Sequence, residues 1–161
     1  MIIRAAEIGD APVIARLWNA MIRDTLNTFT TQEKTATEVA AMIKARPAAF
    51  WLAEAETCAG FVTYGPFRAG PGYGATVEHS ILLAARYQGR GIGRALMDVA
   101  EKTARDQGLH IMVAGISGAN RGAVEFHLRL GFTQVGVMPE VGFKQGQRLD
   151  LVLMQKSLSP P

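Results

Sequence analysis

The chain has one cysteine, Cys58, among its 161 residues. One thiol forms no disulfide within the chain, so a disulfide-stapled secreted scaffold is excluded, and a zinc site built from four thiolates is excluded with it. The His, Asp and Glu residues show no metal-ligand spacing either. We therefore expect no metal site.

Long apolar runs are also missing. The segment Ile111-Met112-Val113-Ala114 is far too short to cross a bilayer, and the N-terminus lacks the basic residues and apolar stretch of a signal peptide. From these absences we expect a cytoplasmic protein without a membrane partner.

An excess of charge of one sign is nearly absent. The 17 Lys and Arg residues outnumber the 14 Asp and Glu residues by only three, and they form no basic run. This argues against a nucleic-acid partner and is equally compatible with a small anionic ligand. Hydrophobic residues make up 48% of the chain, charged residues 19%, and the mean hydropathy is +0.11, which is typical of a compact globular protein. We predict one domain over residues 1–156, followed by a frayed tail over 157–161.

Strand and helix patterns alternate along the chain. Helices are predicted after a cap at Asp10, after a capping box from Thr35 to Glu38, over about 91–107, and from Asn120. Strands are predicted at residues 2–3, 50–53, 60–64, 76–83, 110–114, 132–137 and 149–154, of which the second and third form a hairpin. This order predicts a mixed α/β sheet in a single domain.

A glycine-rich turn, Gln88-Gly89-Arg90-Gly91-Ile92-Gly93-Arg94, separates a predicted strand from a predicted helix. Glycines allow the backbone to approach a ligand closely, and the free amides at a helix N-terminus bind phosphate. The alternative is a tight strand-to-helix turn in which glycine has no binding role. A nucleotide P-loop is excluded because no Gly-Lys-Ser/Thr follows, and a dinucleotide fingerprint is excluded because Arg94 or Leu96 stands where its third glycine belongs.

This turn resembles the pyrophosphate-binding loop of the GNAT N-acetyltransferase superfamily, Gln/Arg-x-x-Gly-x-Gly/Ala. Asn120 and the later Leu130-Gly131-Phe132 resemble the start and end of the last helix of that family, and the order of elements fits it from Ile2 to Met154. The resemblance implies an α/β (α+β) fold, with a central mixed, mostly antiparallel sheet flanked by helices, and acetyl-CoA as cofactor. It implies that Ile81, Leu82 and Leu83 pair with the pantetheine arm and that Asn120 contacts the cofactor near its thiol. The residues implied to hold the pyrophosphate are Gln88, Gly89, Arg90, Gly91, Ile92, Gly93 and Arg94.

Two segments carry a narrower resemblance. Residues 76–80, Thr-Val-Glu-His-Ser, and residues 140–151 resemble the phosphinothricin and methionine sulfoximine/sulfone acetyltransferases, whose acceptor is the α-amine of a small amino-acid analogue. Relatives of this type are often dimers, so a homodimer is possible. The chain departs from their pattern at Gly74-Ala75, where a basic or aromatic pair is usual, and at Arg148, where a Trp is usual. If the missing basic residue binds the substrate carboxylate, then another group such as Arg68 or Arg148 replaces it, or the substrate differs.

Acetyl transfer to an amine requires a base, since the free amine is mostly protonated at neutral pH. Glu78, on the strand before the loop, is the predicted base, and burial there would raise its pKa. The alternative is an outward-facing or structural carboxylate. His79 points to the opposite face of the strand and is given a structural role. His127 occupies a helix position where many superfamily members place a Tyr as general acid, so it is the predicted acid, with plain packing as the alternative.

Tyr73 and Phe29 lie in predicted loops and are predicted to line the substrate pocket, although plain packing explains such aromatics as well. Acidic neighbours of Cys58 disfavour a thiolate, so we expect direct attack in a ternary complex and no acetyl-cysteine. The leading hypothesis is an acetyl-CoA-dependent N-acetyltransferase acting on a small amino acid or analogue. The alternatives are a protein N-terminal or lysine acetyltransferase, and a non-catalytic acyl-CoA-binding module.

Overall fold

The computed structural model describes residues 1–159, which form one seven-stranded sheet with helices on both faces. The strands run in the order β1-β2-β3-β4-β5-β7-β6 across the sheet, and every neighbouring pair is antiparallel except β4 with β5. This confirms the predicted mixed, mostly antiparallel sheet. The strands are β1 Ile2–Ala5, β2 Phe50–Glu54, β3 Cys58–Pro66, β4 Thr76–Leu83, β5 Ile111–Ser117, β6 Thr133–Lys144 and β7 Gln147–Ser157. The helices are α1 Ala11–Asp24, α2 Ala36–Ala45, α3 Ile92–Asp106 and α4 Arg121–Arg129.

The starts of the first two helices differ in their capping. At α2 the predicted capping box is present, because the Glu38 N–H donates to Thr35 Oγ1 at 3.1 Å and the Thr35 N–H donates to Glu38 Oε2 at 2.7 Å. At α1 the predicted side-chain cap by Asp10 is wrong, since its carboxylate accepts from Arg4 at 2.8 and 2.9 Å and from the Glu7 N–H at 2.7 Å. An ion pair with β1 therefore takes the place of the cap.

Each face of the sheet has its own core. The front face, covered by α1 and α2, contains Trp18, Phe50 and Phe61. The back face, covered by α3 and α4, contains Leu96, Met112 and Met154 among its fully buried side chains. Alternation along each strand assigns neighbouring residues to opposite cores, which fixes the face on which every functional side chain lies.

The two last strands are longer than predicted, and the chain end is ordered further. Ser157 belongs to β7, and Leu158 is 1% exposed in the back core, with its N–H donating to the His110 carbonyl at 2.8 Å. The predicted frayed tail is therefore wrong for these two residues, because an apolar side chain and a backbone hydrogen bond hold them. Pro160 and Pro161, also assigned to that tail, lie outside the described residues. No helix within residues 1–159 has the length and apolar character needed to span a bilayer.

Candidate active site

The central feature of the site is a gap between β4 and β5. The two strands pair only from Thr76–Ile111 to Glu78–Val113, although β4 continues to Leu83 and β5 to Ser117. Beyond that point β4 keeps its pairing with β3, and β5 keeps its pairing with β7. The edge of β4 that faces β5, residues 79–83, thus has no strand partner in the described chain. Ile81, Leu82 and Leu83, the predicted pantetheine partners, lie on this edge.

The glycine-rich turn lies at the mouth of this gap, because it belongs to the segment that connects the end of β4 to the start of α3. Gly89 and Gly91 have φ angles of +73° and +78°, which residues other than glycine rarely adopt. Gly91 occupies the N-cap position of α3 and no side chain caps the helix, so its first-turn amides are free to bind an anion. A Cβ at either glycine would meet no protein atom within 4 Å, so the space beside the loop is open. These features fit a pyrophosphate group.

The other predicted loop residues have distinct positions. Ile92 is buried under the loop, and Gly93 lets α3 approach α4, since a Cβ there would lie 3.1 Å from the Phe126 ring. Arg90 lies over the Tyr87 ring, 5.7 Å from its centroid, and Arg94 donates to the Arg129 carbonyl at 3.2 Å. Gln88, Arg90 and Arg94 are exposed, and neither arginine forms an ion pair within residues 1–159. Two uncompensated cations thus flank the free amides.

Asn120 lies at the same end of the sheet, after β5, and caps α4. Its Oδ1 accepts a hydrogen bond from the Ala123 N–H at 3.2 Å. The structure thus gives Asn120 a structural function, and its contact with the cofactor stays a prediction.

Glu78 lies where the pairing of β4 with β5 ends. Its Oε1 would be 3.1 Å from a Cβ at Gly115, so the carboxyl lies against the backbone of β5 on the front face. Partial desolvation against β5 raises the pKa of the carboxyl above its usual value, although the residue as a whole is exposed to solvent. A carboxyl with a raised pKa beside the gap has the position and the chemistry of a general base.

His79 and His127 contact each other behind the gap. His127 Nδ1 is 2.7 Å from the Ala123 carbonyl, which only accepts, so Nδ1 carries the proton and the neutral ring accepts at Nε2. The two Nε2 atoms are 2.9 Å apart, so His79 donates there, and its buried Nδ1 finds no hydrogen-bond partner within residues 1–159. Burial lowers the pKa of both rings, and for His79 burial and the neighbouring His127 lower it to about 3.

This pairing bears on the acid predicted at His127. Both of its ring nitrogens are engaged within the protein, the side chain is 3% exposed and the ring is neutral, so no N–H faces the gap. The arrangement favours packing, the alternative weighed for His127, and its acid role is not proposed further. The structural role of His79 fits its buried position.

The two predicted pocket aromatics lie in different parts of the fold. Phe29, between α1 and α2, covers β6, with ring atoms 2.7 Å from where a Cβ of Gly142 would be. The same loop is held by Lys144 Nζ, which donates to the Thr28 carbonyl at 2.9 Å. Tyr73 lies before β4, exposed, with its ring 6.1 Å from that of Phe67.

Sequence reasoning missed Arg46 and the two strand glycines that shape the site. The Arg46 guanidinium lies over Gly65, which pairs with Glu78, and Gly115 makes room for the Glu78 carboxyl. A glycine inside a strand signals a close approach, but Gly65 and Gly115 each lie one residue beyond the predicted strands 60–64 and 110–114, so the signal was missed. Cys58 is buried in the front core, and burial raises the pKa of its thiol to about 11. The thiol is therefore no nucleophile, with burial rather than acidic turn residues as the main cause.

Comparisons with known proteins agree with this geometry. The sequence model of the acetyltransferase (GNAT) family matches residues 15–132. An L-methionine sulfoximine/L-methionine sulfone acetyltransferase of Pseudomonas paraeruginosa is 35% identical over 163 residues, covering 98% of this chain and 95% of the relative.

Two solved structures share the whole fold. A GNAT superfamily phosphinothricin acetyltransferase from Sinorhizobium meliloti, in complex with acetyl-CoA, superposes with a TM-score of 0.93 at 28% identity over 98% of this chain and 88% of its own. A ribosomal-protein-alanine N-acetyltransferase from Brucella melitensis superposes with a TM-score of 0.92 at 30% identity over 98% of this chain and 99% of its own. The resemblance inferred from the loop and from Leu130-Gly131-Phe132 is confirmed, and the chain belongs to the acetyltransferase (GNAT) family.

Proposed function

We propose that the chain transfers the acetyl group of acetyl-CoA to the α-amine of a small amino acid or analogue, of the phosphinothricin, methionine sulfoximine or methionine sulfone type. The observation that carries the proposal is the position of Glu78, whose raised-pKa carboxyl stands where β4 and β5 part. The relative from Pseudomonas paraeruginosa, named for such substrates and similar over 98% of this chain, supports the substrate class.

The cofactor is proposed to bind along the gap. The free edge of β4 at Ile81, Leu82 and Leu83 would hold its pantetheine arm, and the amides at the start of α3, with Arg90 and Arg94, would hold its pyrophosphate. Acetyl-CoA supplies the activated acetyl group. Gly89 and Gly91 keep side chains out of the space that the phosphates need.

Glu78 is proposed to accept the proton of the acceptor ammonium, directly or through a water. A carboxyl with an ordinary pKa is a weak base at neutral pH, and the raised pKa of Glu78 makes it a stronger one. The buried thiol of Cys58 is unsuited to carry an acetyl group, which supports direct transfer in a ternary complex.

The runner-up is acetylation of a protein N-terminus, because the similar structure from Brucella melitensis is named a ribosomal-protein-alanine N-acetyltransferase. The test is acetyl-CoA consumption across phosphinothricin, methionine sulfoximine, methionine sulfone, ordinary amino acids and short peptides. Turnover with the free amino-acid analogues supports the proposal. Turnover with peptides alone supports the runner-up, and tight acetyl-CoA binding without any turnover indicates a binding module.

We also propose a homodimer and a cytoplasmic location. The edge strand β6 has a row of exposed apolar side chains that would suit contact with a second copy: Val135, Val137, Met138, Val141 and Phe143. The mass in solution, by light scattering, tests the homodimer. The cytoplasmic location expected from the sequence stays a prediction, which cell fractionation tests.

A further inference from the structure

Arg46, the residue that follows α2, is a cation without a counter-ion. Its side chain has one hydrogen bond within residues 1–159, from Nη1 to Thr63 Oγ1 at 3.1 Å, and no described carboxylate pairs with it. Half-burial lowers the pKa of the guanidinium from its usual value. Because a guanidinium has five donors, most of its hydrogen-bonding capacity remains free for an anion.

A glycine fixes the place of this guanidinium. A Cβ at Gly65 would lie 2.6 Å from Arg46 Nη2 and 2.8 Å from Cζ, so the group lies on backbone that has no side chain. Arg46, Gly65, Tyr73 and Thr76 all line one open cavity of about 540 Å³; Glu78 is not among its lining residues but follows Thr76 and Val77, which are. The cation is therefore reachable by a small ligand.

The same glycine is the direct strand partner of Glu78. Paired residues of antiparallel strands place their side chains on one face, with Cβ positions about 5 Å apart. The Glu78 carboxyl leans away from Gly65 toward Gly115, on the far side of its strand. A cation and a carboxyl thus lie on the same face of the sheet, on either side of β4.

We propose that Arg46 binds the carboxylate of the acceptor and so restricts the reaction to free α-amino acids. The inference rests on the proposed function, since it takes Glu78 as the group that meets the amine. The amine and carboxylate of an amino acid share one carbon, so a substrate with its amine at Glu78 extends its carboxylate toward Gly65. A guanidinium holds both carboxylate oxygens through parallel N–H groups, whereas the amine of a peptide or a lysine side chain has no neighbouring carboxylate to offer.

Other cations are less suited to this role. Arg148 alternates with Leu149 and Leu151, and Leu151 faces Gly115, so Arg148 lies on the opposite face from Glu78. Arg68 lines the same cavity, but it is exposed and lies over the Phe67 ring, with no glycine fixing its place. Lys144, at 3% exposure, is held by the Thr28 carbonyl under the α1–α2 loop.

The experiment compares two acceptors, L-methionine sulfone and its carboxamide, in the full chain with acetyl-CoA. Arg46→Gln should raise KM for the amino acid about tenfold to a hundredfold, the loss expected for a charge-assisted hydrogen-bond pair, while kcat/KM for the carboxamide stays at the wild-type value. Arg46→Lys, which keeps the charge but loses the fork, should recover part of the loss.

Two further variants serve as an independent test and as a control. Gly65→Ala should give the same acceptor-specific loss, because its Cβ displaces the end of a flexible side chain at little cost to folding. Arg148→Gln, an equal change of charge on the opposite face, should leave both acceptors unaffected. Unchanged acetyl-CoA affinity shows that each variant is folded.

An equal loss with both acceptors, or no loss with either, overturns the inference. If the wild type acetylates no amine, the proposed function fails, and the carboxylate site is then judged by calorimetric binding of L-methionine sulfone. Binding to the wild type that Arg46→Gln abolishes upholds the site. Equal binding to both proteins, or none to the wild type, overturns it.

Discussion

At the scale of single residues, the site depends on which side chains are missing as much as on which are present. Gly115 leaves room for the carboxyl of Glu78, and Gly65 leaves room for the guanidinium of Arg46. Each charged group lies over the backbone of a neighbouring strand and stays open to a ligand, since Glu78 is exposed and Arg46 is half-buried. Partial desolvation against that backbone shifts both pKa values in the direction of the neutral form.

Glu78→Gln should lower kcat about a hundredfold to ten-thousandfold and leave the KM for acetyl-CoA unchanged, because it removes the base and little volume. In the wild type, activity should rise with pH as Glu78 loses its proton, with a midpoint above the ordinary value of 4.5. Steady-state rates from pH 4 to 9 measure both effects. Glu125→Gln, an exposed acid on α4, serves as the control, and an unchanged acidic limb in Glu78→Gln would remove Glu78 from the mechanism.

The pair of His79 and His127 should make stability depend on pH. Because burial lowers their pKa values in the folded chain, the unfolded chain binds protons first as the pH falls below 6.5. The contribution of the two neutral rings to stability is fully present well above pH 6.5. It is lost progressively as the pH falls from 6.5 toward the folded pKa of His79, about 3. The His79 ring should contribute a loss of about 1.4 kcal/mol at one pH unit below its unfolded pKa, and the lowered pKa of His127 adds a loss of the same sign.

Urea unfolding at pH 7.5 and 5.5 measures this dependence. His79→Gln keeps a donor toward His127 and removes one titrating group, so its stability should fall less steeply between the two pH values. An identical slope in wild type and variant would show that His79 is not the group responsible.

At the scale of elements, features that depend on neighbouring residues could be predicted from the sequence, whereas contacts between residues far apart in the chain could not. The box from Thr35 to Glu38 and the glycines before α3 act within a few residues, so spacing alone predicted them. The early end of the β4–β5 pairing and the approach of Arg46 to Gly65 depend on strands that meet only in the fold. Spacing could not predict the contact of His79 with His127 either, since the two lie 48 residues apart.

The loop before α3 can be tested with two matched glycines. Gly91 and Gly108 have φ angles of +78° and +79°, and a Cβ added at either one would meet no protein atom within 4 Å. Valine at either position should therefore lower stability by a similar amount, about 1–3 kcal/mol. Only Gly91→Val should weaken acetyl-CoA binding, by at least about tenfold, because its side chain enters the phosphate space. Calorimetric titration of both variants with acetyl-CoA measures the difference, and equal affinities would refute the pyrophosphate assignment.

At the scale of the whole molecule, the end of the chain closes the back core. The Ser and Pro residues around Leu158 carry no burial signal, so the sequence predicts fraying there. In the fold its N–H meets the His110 carbonyl, and its own carbonyl accepts from Arg105 Nε at 2.7 Å. Both partners precede it by about 50 residues, which is why the sequence around Leu158 did not reveal its role.

Leu158→Ala should therefore reduce the free energy of unfolding by about 2–4 kcal/mol, as expected for a fully buried leucine. Leu128→Ala, on α4 with 52% of its residue surface exposed, should change it by less than about 0.5 kcal/mol. Urea unfolding of both variants measures the contrast. A loss below about 1 kcal/mol at Leu158 would mean that the chain end contributes little to the core.

The short pairing of β4 with β5 also determines how the gap meets its ligand. Each strand is held in place by its outer neighbour, β3 for β4 and β7 for β5, so the gap is already formed before a ligand binds. A ligand with amide groups replaces hydrating water along residues 79–83 and breaks no interstrand hydrogen bond. Affinity then comes from preorganisation, with little conformational entropy lost on binding. In hydrogen–deuterium exchange, the backbone amides of residues 79–83 that face the gap should exchange quickly in the free chain and slowly with acetyl-CoA bound. The amides of β7 should stay protected in both states.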